Sequence, residues 1–400
     1  MKYILLIPDG AADWPIPQLH GKTPLQTAST PAMDHLALQG RCGLYHSIPP
    51  GCPAGSDVAN LSILGYDPAT EYQGRAVFEA ASLGIPLSPE DVVLRCNTIS
   101  IENNRIKNHS SGHISSEEAH ELLQAVSSSL TNSPITLHPG FGYRHILTLK
   151  GDFSTDFDAS PPHDHVGKAV DSLLLKGKSA PGKKTADFLN RFMLHTRTIL
   201  EKHPVNLRRI AKKEDPANML WLWSPGRKPS VIPFFEKTRM KGAVISAVDL
   251  IKGIAICAEM DVINVPGATG LYTTNYEGKA DACIEALHTY DFLYVHVEAS
   301  DEASHEGNLP LKLQCIEYFD QRLLDRILSQ ISLSETRIAI LPDHYTPIKT
   351  KGHTSDPVPF LIAGSGVEPD RVSTFDEPSC SKGGYGTLQG DSLLQTLFSK

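Results

Sequence analysis

What the chain lacks narrows its function before any motif is read. No apolar run approaches the roughly 20 residues of a membrane-spanning helix, so no span and no membrane partner are expected. The seven cysteines are odd in number and none stands in a C-x-x-C pair. That argues against a disulfide framework and for reduced, mostly buried thiols in a cytoplasm. Positive charge is not in excess, and the formal net charge of −8 argues against a nucleic-acid surface, though not against a local basic pocket. There is no P-loop and no kinase-like Gly-rich loop, so an ATP donor would need another mode of binding. Internal repeats and low-complexity tracts are absent. The opening MKYILLIPDG has one Lys and a short apolar run that enters Asp9 directly. A signal peptide needs a longer apolar region and a small-residue cleavage site, so this stretch is read as a first core strand.

What is present fits a soluble enzyme. The apolar share of 40% and the charged share of 20% are ordinary for a globular chain. Four hundred residues exceed the usual single core, which implies two domains or one domain with an insertion.

One arrangement occurs three times. The apolar run Ile338 to Leu341 ends in Pro342-Asp343-His344, and His353 follows shortly. Tyr3 to Ile7 ends in Pro8-Asp9-Gly10, and Phe292 to Val297 leads to Asp301 and His305. Short apolar runs bounded by Pro or Gly read as buried strands. Chemistry in open α/β sheets sits beyond the carboxyl ends of such strands. Carboxylate oxygen mixed with imidazole nitrogen suits a catalytic divalent metal. Asp301 and His305, four residues apart, share one face of a helical turn and can grip one ion.

A nucleophile candidate lies between the first two of these strands. After Pro49-Pro-Gly-Cys-Pro-Ala-Gly55, Ser56 stands where the helical pattern Val58, Leu61, Leu64 begins. Such a Ser is commonly an N-cap. Beside strand-end metal ligands it is read here as a nucleophile, with the helix end favouring a bound phosphate. Arg75 follows as a surface charge or a phosphate clamp.

The middle of the chain has a different character. Val92 to Asn108 reads as a hairpin turning at Asn103-Asn104, and Ser115 with Glu118 as a capping box. Two strands flank Pro139–Gly142, Ala180–Lys184 reads as a linker, and a helix is expected from Thr185 to Glu201. Beyond residue 230 the βα alternation resumes, with a long helix expected from Leu311 to Gln330. The expected architecture is therefore α/β, a mainly parallel sheet between helices. Residues 1–87 and 231–400 would form a metal-binding catalytic domain, and 88–230 an inserted α+β cap.

The segments IPDGAADWP, GSDVANLSILGYDP, YQGRAVFEAASLG, AVDLIKGIAI, VPGATGLYTTNYEGKA, VEASDEASHEGN, LPDH and GHTSDPVPF occur in order along most of the chain. Together they resemble the archaeal-type cofactor-independent phosphoglycerate mutases of the alkaline phosphatase superfamily. A bacterial branch of that family includes proposed homoserine kinases, and this chain resembles that branch more. The resemblance implies an alkaline-phosphatase-like fold and two divalent ions, Mn foremost with Zn, Co or Mg as alternatives, and no 2,3-bisphosphoglycerate. Asp9, Asp343, His344 and the Ser56 hydroxyl would hold one ion, and Asp301, His305 and His353 the other. Ser56 would become phosphoserine, with Lys252 near the transferring phosphoryl group. In the cap, His113, Arg144 and the His163-Asp164 pair lie in stretches that resemble substrate-contacting segments, and Arg75 would join them.

The implied activity is the glycolytic interconversion of 3-phosphoglycerate and 2-phosphoglycerate, a small phosphorylated substrate, with water excluded by a closed cap. Two alternatives share the same metal site. One is a phosphate-ester hydrolase with an open cap, the other a homoserine phosphotransferase with a donor pocket.

Overall fold

The computed structural model describes residues 1–399. The chain divides into two compact units, one formed by Met1–Tyr72 with Ser230 onwards and one by Gln73–Pro229.

Apolar runs that are buried on both faces become the centre of a parallel sheet. Ile4, Leu5, Leu6 and Ile7 are all fully buried, as are Phe292 to Val295 and Ile338 to Leu341. In the first unit the resulting eight-stranded sheet has the spatial order Asp261–Ile263, Gly242–Ile245, Phe292–Val297, Lys2–Pro8, Thr336–Ile340, Val358–Gly364, Arg41–His46, Thr387–Gln389. Val358–Gly364 is antiparallel to both neighbours, and every other pairing is parallel. No helix lies between Thr336–Ile340 and Val358–Gly364. A parallel return needs such a crossover, so the chain comes back antiparallel. Leu6 pairs with Val295 on one side and Ile340 on the other. Three adjacent parallel strands therefore finish at one edge of the sheet, and that edge carries the three strand-end aspartates.

Thr30-Pro31 reads in the sequence as a helix start with Thr30 as N-cap, and Leu311 to Gln330 as one unbroken long helix. The structure departs from both readings. Thr30 occupies the N-cap position of helix Pro31–Gln39 but makes no side-chain cap bond. The Asp320 carboxylate takes that role, accepting from the backbone N–H groups of Ala32 at 3.1 Å and Met33 at 2.7 Å. Asp320 lies in a π segment, Phe319–Leu324, which interrupts the helical run from Leu309 to Leu328.

The second unit has its own antiparallel sheet and core. Val92–Glu102 is the central strand and pairs with Arg144–Leu149, Met219–Gly226 and, at its end, the hairpin strand Arg105–Asn108, while Ile135–His138 lies beyond Arg144–Leu149. The turn at Asn103 and Asn104 has φ of 50° and 57°, both positive as a two-residue hairpin of this hand requires. Ser115 accepts from the Glu118 N–H at 3.2 Å and starts helix Ser116–Ser128.

The boundary expected after residue 87 falls after residue 72. Helix Arg75–Ser82 buries Ala76, Val77 and Ala80 against Val93 and Ile146, and so belongs to the second unit. The linker expected at Ala180–Lys184 is the first turn of helix Ala180–Leu200. Ser179 caps that helix by accepting from the Gly182 N–H, and Pro181 sits in the first turn, where its missing N–H costs nothing.

Candidate metal centre

Asp9 directly follows the Lys2–Pro8 strand, Asp343 lies shortly beyond Thr336–Ile340, and Asp301 stands in the first turn of helix Ala299–Glu306 after Phe292–Val297. All three are buried, with 1%, 0% and 4% exposure. Isolated buried carboxylates are costly, and three that repel one another are costlier still. Burial, followed by the charges of Asp343 and Asp301, raises Asp9 well above the usual carboxylate range. Asp343 is also opposed by burial, yet His344 holds it below its ordinary value. Asp301 is opposed by burial too, but His305 and His353 bring it well below.

The imidazoles turn towards these acids. His344 Nε2 lies 3.1 Å from Ser56 Oγ, 3.4 Å from Asp343 Oδ2 and 3.7 Å from Asp9 Oδ1. His305 Nε2 lies 3.1 Å from Asp301 Oδ2 and 3.0 Å from His353 Nε2, while its Nδ1 meets the Lys351 carbonyl at 2.9 Å. The hydrogen bond to Asp301 raises His305 to about 9. The His344 and His353 rings stack at 4.0 Å.

The structure thus brings together Asp9, Ser56, Asp343 and His344, and beside them Asp301, His305 and His353. Ligand atoms of Asp301, His344 and His353 lie within 4.8 Å of one another, as do those of Asp9, His296 and Asp343. Asp9 Oδ1 is a buried atom without a hydrogen-bond partner among the described residues, and His296 Nε2 faces Asp9 Oδ2 at 3.0 Å. An orphaned buried carboxylate oxygen amid excess carboxylate is what a cation would satisfy, so the donor set fits divalent metal.

Ser56 does not cap its helix. Gly55 takes the N-cap position and Ser56 is the first residue of helix Ser56–Ile63. That leaves its hydroxyl directed at His344. Lys252 lies on helix Asp249–Cys257, which packs against the Ser56 helix. Gly10, at φ 62°, is required by clearance as well as by backbone. A Cβ there would come within 2.6 Å of Asp301 Oδ1 and 2.7 Å of Thr346 Oγ1.

The second unit carries a cationic cluster of its own. Glu79 binds Arg75 Nε and Arg95 Nε, each at 2.9 Å. Arg95 is 5% exposed, lies 4.3 Å over the Trp223 ring, and burial lowers it to about 10. His163 meets the edge of Trp223 at 5.4 Å and His109 at 6.1 Å. Burial lowers His163, and Arg95 and Arg75 act in the same direction. Arg144 sits over Tyr143 at 4.8 Å, and Asp164 is exposed, 3.8 Å from His163. Burial lowers His109, and neighbouring His113 and Arg144 act in the same direction.

Comparison with known proteins converges on one family. The family model described as 2,3-bisphosphoglycerate-independent phosphoglycerate mutase matches residues 37–206. The chain is 49% identical over 400 residues to a protein of that name from Methanosarcina barkeri, covering 99% of each. It is 44% identical to one from Methanothermobacter thermautotrophicus, covering 100% of this chain and 97% of the other. The chain belongs to the 2,3-bisphosphoglycerate-independent phosphoglycerate mutase family. Among solved structures, a protein from Pyrococcus horikoshii is 35% identical with a TM-score of 0.85, covering 99% of this chain and 96% of that one. The cofactor-independent phosphoglycerate mutase of Thermoplasma acidophilum is 30% identical with a TM-score of 0.68 and 99% coverage of both chains.

Several groups of this family member were not singled out from the sequence. His296 interrupts an otherwise apolar strand, and a His inside a fully buried run is a signal that could have been used. Asn60 stands one helical turn beyond Ser56 on the same face, again a usable spacing. Its side chain donates to the Ser56 carbonyl at 2.7 Å and to Asp343 Oδ2 at 2.9 Å, and accepts from the Tyr294 hydroxyl. For Arg95, which alternates in a buried strand, the charge itself was the signal. Tyr294 and Thr346 carry no sequence mark that separates them from core and turn residues.

Proposed function

We propose that this chain interconverts 3-phosphoglycerate and 2-phosphoglycerate through a phosphoserine at Ser56. Full-length identity to phosphoglycerate mutases supports the activity. The single observation that carries the mechanism is that the three strand-end aspartates gather around His344, whose Nε2 lies 3.1 Å from the Ser56 hydroxyl. We assign one ion to Asp9, Asp343, His344 and Ser56, and the other to Asp301, His305 and His353. When bound, two divalent ions would lower the pKa of the Ser56 hydroxyl and offset charge on the phosphoryl oxygens. Manganese is the first choice, as the family resemblance implies, and a set mixing carboxylate with three imidazoles fits Mn or Zn alike and disfavours Ca.

The residues divide the remaining work. Ser56 Oγ forms a bond to phosphorus as the bond to one glycerate oxygen breaks, and the second transfer returns phosphorus to the other hydroxyl. Lys252 is assigned to the phosphoryl oxygens as a fixed positive charge. Arg75, Arg95 and Arg144 outnumber Glu79 in charge, and with His109 and His163 as hydrogen-bonding neighbours we assign them to the carboxylate and phosphate of phosphoglycerate. His113 and Asp164 are kept as further substrate contacts. We assign to the second unit the exclusion of water, without which phosphoserine would hydrolyse. No helix among the described residues is long and apolar enough to cross a membrane. The free cysteines among them fit a reducing cytoplasm, where we place the reaction.

Full-length identity to proteins named phosphoglycerate mutase favours this reading over hydrolysis and over homoserine phosphorylation. The test is phosphorus NMR on the metal-loaded enzyme, with Ser56→Ala as the control. Wild type should form 2-phosphoglycerate from 3-phosphoglycerate without free phosphate, and intact mass should show one added phosphoryl group. Ser56→Ala should fold normally and lose turnover by several orders of magnitude, as removal of a covalent nucleophile does. Substantial turnover by Ser56→Ala would sink the nucleophile. Formation of inorganic phosphate alone, or of O-phosphohomoserine alone from homoserine and ATP, would replace the mutase reading.

A further inference from the structure

Thr346 is fully buried between the two groups of ligands assigned above. Its hydroxyl donates to Asp301 Oδ1 at 2.6 Å, and its oxygen lies 3.1 Å from His344 Nδ1. A hydroxyl has one proton to give. Ionised Asp301 can only accept, so the Thr346 proton is committed to it. Towards His344 the oxygen can therefore only accept, which requires Nδ1 to carry a proton. The lone pair of neutral His344 is then on Nε2, the nitrogen that faces Ser56, Asp343 and Asp9.

We infer that Thr346 is a positioning residue that fixes the ligating tautomer of His344 and, through the same hydroxyl, the aim of Asp301. The inference rests on the metal reading of the site. One hydroxyl thereby joins a ligand of each ion, so the two sites are not independently built. The residue is itself held from behind. Its N–H donates to the Ala12 carbonyl at 3.3 Å, and its carbonyl accepts from Lys312 Nζ at 3.0 Å. Lys312 is fully buried and binds Asp13 Oδ2 at 2.9 Å. The backbone of Thr346 is thus fixed by groups that touch no ligand, and its hydroxyl delivers that fixity to the centre. Groups that orient metal ligands in this way change metal affinity by about 10–100-fold when removed.

The test compares Thr346→Val, which keeps the shape and removes the hydroxyl, with Thr346→Ser, which keeps the hydroxyl. Metal-free full-length protein is titrated with Co(II) alone, read by visible absorption and by competition with a chelator. Wild type should take two ions, Thr346→Val should bind at least one of them about 10–100-fold more weakly, and Thr346→Ser should stay close to wild type. Nitrogen-15 NMR of metal-free wild type at pH 8 gives a readout that needs no variant, and His344 should carry its proton on Nδ1. A proton on Nε2 would overturn the inference, as would Thr346→Val binding both ions at wild-type affinity. Equal impairment of the Ser and Val variants would overturn it too, because Ser keeps the hydroxyl and the effect would then follow packing at this position rather than the hydrogen bonds. Failure of wild type to take up Co(II) would instead remove the metal reading, and this inference with it.

Discussion

Asn60 offers the sharpest test of how the proposed nucleophile Ser56 is tied to the proposed ligand Asp343. It is fully buried, its two amide protons go to the Ser56 carbonyl and to Asp343 Oδ2, and its oxygen accepts from the Tyr294 hydroxyl. The amide can point only one way, because Tyr294 supplies a donor and Asp343 an acceptor. Asn60→Leu leaves the Tyr294 hydroxyl and one Asp343 oxygen without this partner. A buried group so stranded costs about 1–3 kcal/mol, and more when charged, which gives roughly 3–6 kcal/mol for the two. Burial of the leucine returns about 1.5–3 kcal/mol. A net loss of about 1.5–3 kcal/mol remains, or a fall in Tm of roughly 3–12 °C for a unit of this size. The assay is scanning calorimetry of the intact chain in excess chelator, so that lost metal does not contribute. Asn60→Asp separates hydrogen bonding from volume. It still accepts from Tyr294 but turns a carboxylate towards Asp343, so it should be destabilised at neutral pH. A double-mutant cycle with Tyr294→Phe should show coupling of about 0.5–3 kcal/mol. If Asn60→Leu and Asn60→Asp both melt within a degree or two of wild type, the network does not hold the site and the reasoning fails.

Other expectations follow from the same geometry. Exhaustive chelation should abolish turnover, with Mn, Co or Zn restoring it better than Ca. His353→Ala should carry one ion fewer per chain by elemental analysis, and lose about 2.7 kcal/mol of metal-linked stability when free ion stands 100-fold above Kd. Two ions still bound to that variant would contradict the assignment. Glu377 is buried, accepts from Thr23 Oγ1 at 2.6 Å and the Asp13 N–H at 3.0 Å, and is raised by burial to about 7. Between about 4.5 and 7 the folded state therefore holds a proton that the unfolded chain has released, so this group's contribution to stability is full below that window and is lost as pH rises through it. Subtracting the Glu377→Gln pH profile from that of wild type in urea unfolding should reveal this falling component; parallel profiles would refute it.

The parts of the fold legible in the sequence were those set by burial on two faces. The three runs ending near Asp9, Asp301 and Asp343 could be little else than central strands, and their parallel order placed the acids on one edge. Less legible were features set by competition between local signals. Pro181-Gly182 reads as a break, yet with Ser179 before it the pair opens a helix. Thr30-Pro31 reads as a capped start, yet a carboxylate from distant Asp320 does the capping. The helix after Gly74 reads as continuous with the catalytic segment because the pattern of the chain changes only from about Ser88, whereas its apolar face selects the core it joins.

The site divides in the same way, and for a physical reason. Residues meant to meet an ion or phosphate must leave the strand at its end, so they stand beside Pro and Gly and break an apolar pattern. Residues that support them obey no such constraint. Asn60 can sit inside a helix, Tyr294 inside a strand and Thr346 in a loop, because each needs only to reach one buried atom. Gly10 shows both kinds of requirement at one position. Asp9-Gly10 at a strand end announces a turn, and the positive φ agrees. The nearness of Asp301 and Thr346 to its missing Cβ is a demand made by two other segments, hundreds of residues away along the chain. Alanine at this position would meet the strained φ and displace a ligand and the group that orients it. The turn could be inferred from two neighbouring letters, but the clearance exists only once three strands lie side by side.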